Sequence, residues 1–373
     1  MKKLILAFLF LSFAASAYAA FGFGFGVSYG NFRVNHFNNR HMFRPNMMMH
    51  TGPVVVVSQP RPPRNPGVIN STGPVSFANG HEFMPQTSVG GFTPLRLAFL
   101  QDIAIPLNMQ TVGGIDLAVL TTKVENVYGF QLAGFAATSG KLVGVQAAPL
   151  SYATDSLWGI QAGGFAAFSF PELVGVQASF LMSEARGDGF AGAQIGGIGS
   201  DAFGTSYGLQ VGGMLASSGD NLYGIQIGGI AAYGDMVTGL QVAGVASLGA
   251  IQGLCVAPIK IMSYSDSPTL ESWGIVVSAI NYTGWNNSSM KGLMLSGINF
   301  GGMNISGYQV GAFNLAYSVS GAQIGAINMA PSVEGVQIGV INYTSKLDGL
   351  QIGVINMASN AKIPVLPVIN FNF

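Results

Sequence analysis

From Gly114 to the end of the chain, apolar residues alternate with polar or small ones in short segments of the form Gly-φ-Gln-φ-Gly, where φ is apolar. Val336, Ile338 and Val340, for instance, interleave with Gln337 and Gly339. A period of two in segments rich in Val, Ile, Phe and Tyr predicts β-strands, and the fold class is all-β. Aligned on the leading glycine, the segments begin at Gly114, Gly129, Gly144, Gly159, Gly175, Gly192, Gly208, Gly224, Gly239, Gly253, Gly274, Gly292, Gly307, Gly321, Gly335 and Gly349, sixteen units in all. Most spacings are 14 to 17 residues, stretching to 21 and 18 around Gly274. Self-similarity of this density outranks any local motif. A second apolar position two residues before the anchor (Leu142, Leu157, Leu222, Leu347) adds an inward contact per unit, and charges such as Lys141, Asp155, Glu172, Asp220, Asp235, Glu334 and Asp348 fall between strands.

Two architectures use such units. In a repetitive β-solenoid of about sixteen 14–17-residue units, like positions stack, and Gln131, Gln146, Gln161, Gln177, Gln194, Gln210, Gln226, Gln241, Gln309, Gln323, Gln337 and Gln351 form a side-chain amide ladder. In an outer-membrane β-barrel of about sixteen strands, each unit is one strand and one turn. The even count supports the barrel, as do aromatics before several anchors (Tyr128, Trp158, Tyr207, Tyr223, Trp273) and a closing alternation of Ile369, Phe371 and Phe373 that resembles a barrel-insertion signal. Against it, the connections do not alternate between short and long, and antiparallel strands would give identical units unlike environments. The stack is the better fit.

The segment before the array differs. Residues 1–19 carry Lys2 and Lys3, an apolar run and the small-residue sequence Ala17-Tyr18-Ala19, the layout of a secretory signal peptide cleaved after Ala19. Residues 20–91 are a low-complexity arm rich in Gly, Pro, Asn and Met, expected to be mostly disordered, with residues 92–373 forming the repeat domain. His36, His41, Met47, Met48, Met49 and His50 offer thioether and imidazole ligands to a soft metal such as copper, although without a fixed ligand spacing a Met- and Asn-rich linker that happens to contain His is the stronger explanation.

Only 8% of the 373 residues are charged, 53 are Gly and the formal net charge is zero. A conventional soluble enzyme surface needs roughly a quarter charged residues, and nothing in this balance recruits nucleic acid. The single cysteine, Cys255, excludes an internal disulfide framework. The repeats contain no histidine, and their carboxylates are scattered through turns, so neither a catalytic cluster nor a cofactor site is expected. Two positions break the glutamine column: Asp116, expected to cap and blunt the first edge, and Cys255, expected to be a small buried hydrophobe.

The run from Thr111 to Ala118, the Gly-φ-Gln-φ-Gly-φ-φ-Asn units and the closing Ile363-Pro-Val-Leu-Pro-Val-Ile-Asn-Phe-Asn-Phe373 together resemble the leptospiral-type surface-repeat family, over about residues 92–373. The resemblance implies a location at the cell surface and no known reaction. The chain departs from the pattern in the Gly224 and Gly239 units, where Ala replaces the Asn, and between Gly253 and Gly292, where the Gln is lost. The expected function is a non-enzymatic cell-envelope surface repeat protein, structural or adhesive. Sheet faces of Gln, Asn, Ser and Thr would meet a glycan, matrix or another envelope component. The alternatives are a barrel acting as pore or scaffold, and a periplasmic metal-binding protein using the Met/His arm. Either way the chain is expected to be exported, to the outer membrane or cell surface, or to the periplasm.

Overall fold

The computed structural model describes residues 91–107, 109–170, 172–262, 271–284, 289–302 and 304–373. Residues 1–19, read as a signal peptide, the stretch with the Met and His residues, and residues 263–270 and 285–288 lie outside the described residues. The described chain is a β-solenoid of about fifteen turns. Successive coils pair in parallel and in register, so that Gly208, Gly224 and Gly239 align, as do Gln210, Gln226 and Gln241. This parallel pairing overturns the barrel alternative, whose neighbouring strands must run antiparallel.

A representative coil shows why the sequence closes this way. Asn221 to Gly228 runs along one face, Gly229 and Ile230 turn the chain, and Ala231 to Gly234 returns along the second face, pairing with Leu215 to Ser218 of the preceding coil. Leu222, Gln226 and Ala232 point inward and are buried. The column at this position, with Val237 and Ile251 above Leu222, forms an apolar spine broken by the buried hydroxyls of Ser206 and Ser272.

The anchor glycines sit within the strand rather than at its corners. From Gly129 to Gly349 every one has φ between 123° and 144°, a region side chains avoid. A Cβ at Gly224 would lie 2.1 Å from the Gly208 carbonyl oxygen. Each glycine thus lets one rung approach the next at the point where the strand kinks.

Both ends are closed by antiparallel strands. At the start, Gly91–Leu100 pairs in parallel with Met109–Ala118 and antiparallel with Ile103–Ile105. At the finish, Val365–Asn372 runs antiparallel to the last coil, with Asn370 beside Gln351. Pro94, Pro364 and Pro367 remove amide donors from these terminal segments, which discourages pairing with another sheet edge. Ile369, Phe371 and Phe373 form the outward side of this closing strand. Their alternation therefore belongs to a solenoid cap and not to a barrel's last strand.

Candidate functional site

The glutamines do form the stacked column, but on the inside. All twelve are essentially buried. Gln210 shows the bonding pattern: its Nε2 donates to Gln194 Oε1 at 3.1 Å and to the Ser217 carbonyl across the coil at 2.7 Å, while its Oε1 accepts from Gln226 Nε2 at 2.9 Å. From Gln131 to Gln241 each amide spends both donor hydrogens and at least one acceptor lone pair, which is what allows so polar a group to be buried, whereas Gln351 Oε1 at the far end of the array is buried without a partner.

This first ladder runs unbroken from Gln131 to Gln241, with every amide N–H aimed toward the start of the chain. At that end the acceptor is Asp116: Gln131 Nε2 donates to Asp116 Oδ2 at 3.0 Å. The carboxylate is held by Arg96 Nη1 at 3.2 Å and by the Thr122 hydroxyl at 2.5 Å. Asp116 therefore caps the stack, and Arg96, which sequence reading did not single out, supplies the balancing charge. At the other end the free oxygen of Gln241 accepts from Lys260 Nζ at 2.9 Å and from the Ser247 hydroxyl at 2.6 Å. A chain of aligned amide dipoles is thus closed by a carboxylate at its donor end and an amine at its acceptor end, the arrangement that favours both groups.

Lys260 is fully buried, and burial lowers its pKa from the usual lysine value, opposed by neighbouring Cys255. Cys255 is buried in the glutamine column as expected, with Sγ donating to Ser247 Oγ at 3.3 Å. The two later substitutions, Val276 and Met294, are also buried, so the ladder is interrupted by apolar packing. Across this gap a second ladder starts on the other face: Asn281, Asn299, Asn314, Asn328, Asn342 and Asn356. Its amides donate toward the end of the chain, opposite to the glutamines. The glutamine ladder resumes from Gln309 to Gln351, so the last coils carry both.

The inward amides leave the apolar residues outside. Ile225 and Ile227, on either side of buried Gln226, are 39% and 36% exposed. The expectation that Gln, Asn, Ser and Thr form a polar outer surface for glycans is corrected accordingly: the face beside the anchors presents two columns of apolar side chains. At the sixteen anchors both outward positions, one and three residues on, are apolar in every unit, and none is buried.

The second face is less uniform. Glu184, Asp201 and Ser217 align there on successive rungs. Glu184 accepts from Arg186, whose guanidinium also lies 5.4 Å from the Phe170 ring centre and 5.6 Å from that of Phe203. Desolvation pushes the Asp201 carboxyl up from 3.8 to about 6; Glu184 adds to the rise, while the Ser217 hydrogen bond and the Arg186 charge oppose it.

No family model, curated protein or solved structure matches the chain.

Proposed function

We propose that the chain is an exported, non-enzymatic repeat protein of the cell envelope, serving as a rigid structural or adhesive element. The observation that carries this reading is the closed, capped stack itself. Its repeated polar side chains are consumed in internal ladders, and its outer surface repeats the same apolar motif on every rung. Such a body holds a fixed length and offers many copies of one contact. The secretory layout of residues 1–19 and the resemblance to surface-repeat proteins support the location. The apolar faces favour a structural contact over recognition of a glycan, which would require exposed hydrogen-bonding groups.

The test is to fractionate cells producing the full chain, determine the N-terminus of the mature protein, and wash the envelope fraction at alkaline pH. A chain beginning at Ala20 in the envelope fraction, released by the wash, agrees with the proposal. An uncleaved chain in the cytoplasm contradicts it, as does a hydrolase or transferase activity abolished by changing one turn carboxylate.

A further inference from the structure

We propose that the uniformly apolar face pairs with the same face of a second copy of this chain. The face consists of the columns one and three residues after each anchor, with Ile160, Ile225, Leu254 and Ile275 in the first and Ile227 and Ile338 in the second. With strands about 4.8 Å apart, fifteen rungs extend about 70 Å. Two outward columns with their side chains cover a width of about 11 Å, or roughly 800 Å² in projection. That equals the area a stable pair buries per partner, about 800 Å², before the corrugation of the side chains is counted. A patch this large is well beyond the few hundred Å² that monomeric soluble proteins leave exposed.

Charge selects the occupant. A helix or sheet that lies on a bilayer is rimmed by Lys and Arg, whereas the turns flanking this face carry Asp155, Glu172, Asp220, Asp235, Glu334 and Asp348 against Lys141, Lys291 and Lys346. Acidic turns oppose docking under anionic headgroups; between two copies the same repulsion acts only at the solvated rim of the face, where salt screens it, and not within the uncharged apolar columns. The fold also limits growth. Ile103–Ile105 runs antiparallel over part of the first rung and Val365–Asn372 over the last, which opposes end-to-end addition, so the pairing is a closed face-to-face dimer and not a filament.

The inference rests on the geometry of the face and not on the location proposed above, so either can fail alone. The experiment measures the mass of the mature full chain by sedimentation equilibrium in detergent-free buffer. It is combined with cross-linking of Ile227→Cys and, separately, Ile352→Cys, each in a Cys255→Ser background, by a bifunctional maleimide reaching about 15 Å, because faces of packed sheets stand about 10 Å apart, too far for a direct disulfide. Ile227 lies on the eighth of the sixteen anchored rungs, next to the centre of the face, and meets its own copy whether the two stacks run parallel or antiparallel. Ile352, on the last rung, meets its own copy only in a parallel pair. The expected result is twice the chain mass, with a maleimide-linked dimer from Ile227→Cys. The double variant Ile225→Lys with Ile275→Lys should weaken association ~100-fold or more with an unchanged β-sheet spectrum. A monomer without a cross-link overturns the proposal. So does a monomer that floats with vesicles of phosphatidylethanolamine and phosphatidylglycerol, an outcome that would assign the face to lipid. Because the cysteine variants only shorten exposed, uncharged side chains, the proposal remains falsifiable even if the lysine variant fails to fold.

Discussion

Replacing Gln210 by Met keeps side-chain volume while removing the amide. The structure then leaves two side-chain groups without partners: Gln194 Oε1, whose bond came from Gln210, and one Nε2 hydrogen of Gln226, whose acceptor was Gln210 Oε1. A buried unsatisfied polar group costs about 1–3 kcal/mol, so Gln210→Met should destabilise the chain by about 4 kcal/mol. Gln226→Met should cost as much, because it orphans Gln210 Oε1 and one hydrogen of Gln241. The double variant again leaves only two groups orphaned, Gln194 Oε1 and one Gln241 hydrogen. Its cost should therefore stay near about 4 kcal/mol where additivity gives about 8. Gln161 and Gln210 lie three rungs apart and share no bond, so their double replacement should be additive. The assay is urea unfolding of the mature chain followed by β-sheet circular dichroism, completed as two double-mutant cycles. Additivity within the adjacent pair, or non-additivity within the distant one, would refute the ladder as the energetic link between rungs.

Three further outcomes follow from single positions. Asp201 is protonated in both states well below pH 3.8. Because its folded pKa is raised to about 6, the folded state loses stability as pH rises from 3.8 to about 6. Asp201→Asn should therefore gain about 1–3 kcal/mol over the parent at pH 8 and close to nothing at about pH 3, read from paired urea midpoints. For Lys260 the folded pKa is lowered, so the unfolded chain binds the extra proton and the parent gains stability as pH rises toward 10.5. Lys260→Met, which leaves Gln241 Oε1 bonded to Ser247, should be at least as stable as the parent at pH 7, with its relative advantage shrinking by pH 10. Gly224→Ala forces a Cβ to within 2.1 Å of the Gly208 carbonyl oxygen at a φ of 143° and should cost about 3 kcal/mol or more. Gly199→Ala, whose Cβ meets nothing nearer than 3.8 Å, should cost less than about 1 kcal/mol in the same urea unfolding.

The repeat length, the strand content, the stacking of the glutamines and the capping role of Asp116 were legible because each is a property of periodic positions, and a stack repeats every environment. The side of the strand that faces inward was not legible. Within one coil, Ile225 and Ile227 look like core and Gln226 like surface. The amide is satisfied only by its copies on the adjacent rungs, together with a carbonyl seven residues on across a narrow interior. That arrangement exists only once the register is fixed. Leu222 was read correctly because its column is mostly apolar, with Ser206 and Ser272 as its two polar members, and packs on itself. Arg96 and Lys260 were missed for a related reason. Each looks like an ordinary isolated charge until the stack places it at the end of a ladder, whereas the substitution of Cys255 for Gln did mark where that ladder breaks.

A stacked solenoid separates its first and last rungs, whereas a closed barrel brings its first and last strands together. The most direct measurement is therefore the spin-label distance between Tyr128→Cys and Asp348→Cys in a Cys255→Ser background, with labelled chains diluted in unlabelled ones to suppress signals between copies. These positions precede Gly129 and Gly349, fourteen rungs apart. At about 4.8 Å per rung, the solenoid gives a distance of about 67 Å; a distribution centred below about 20 Å, the reach of neighbouring strands in a closed sheet, would contradict it.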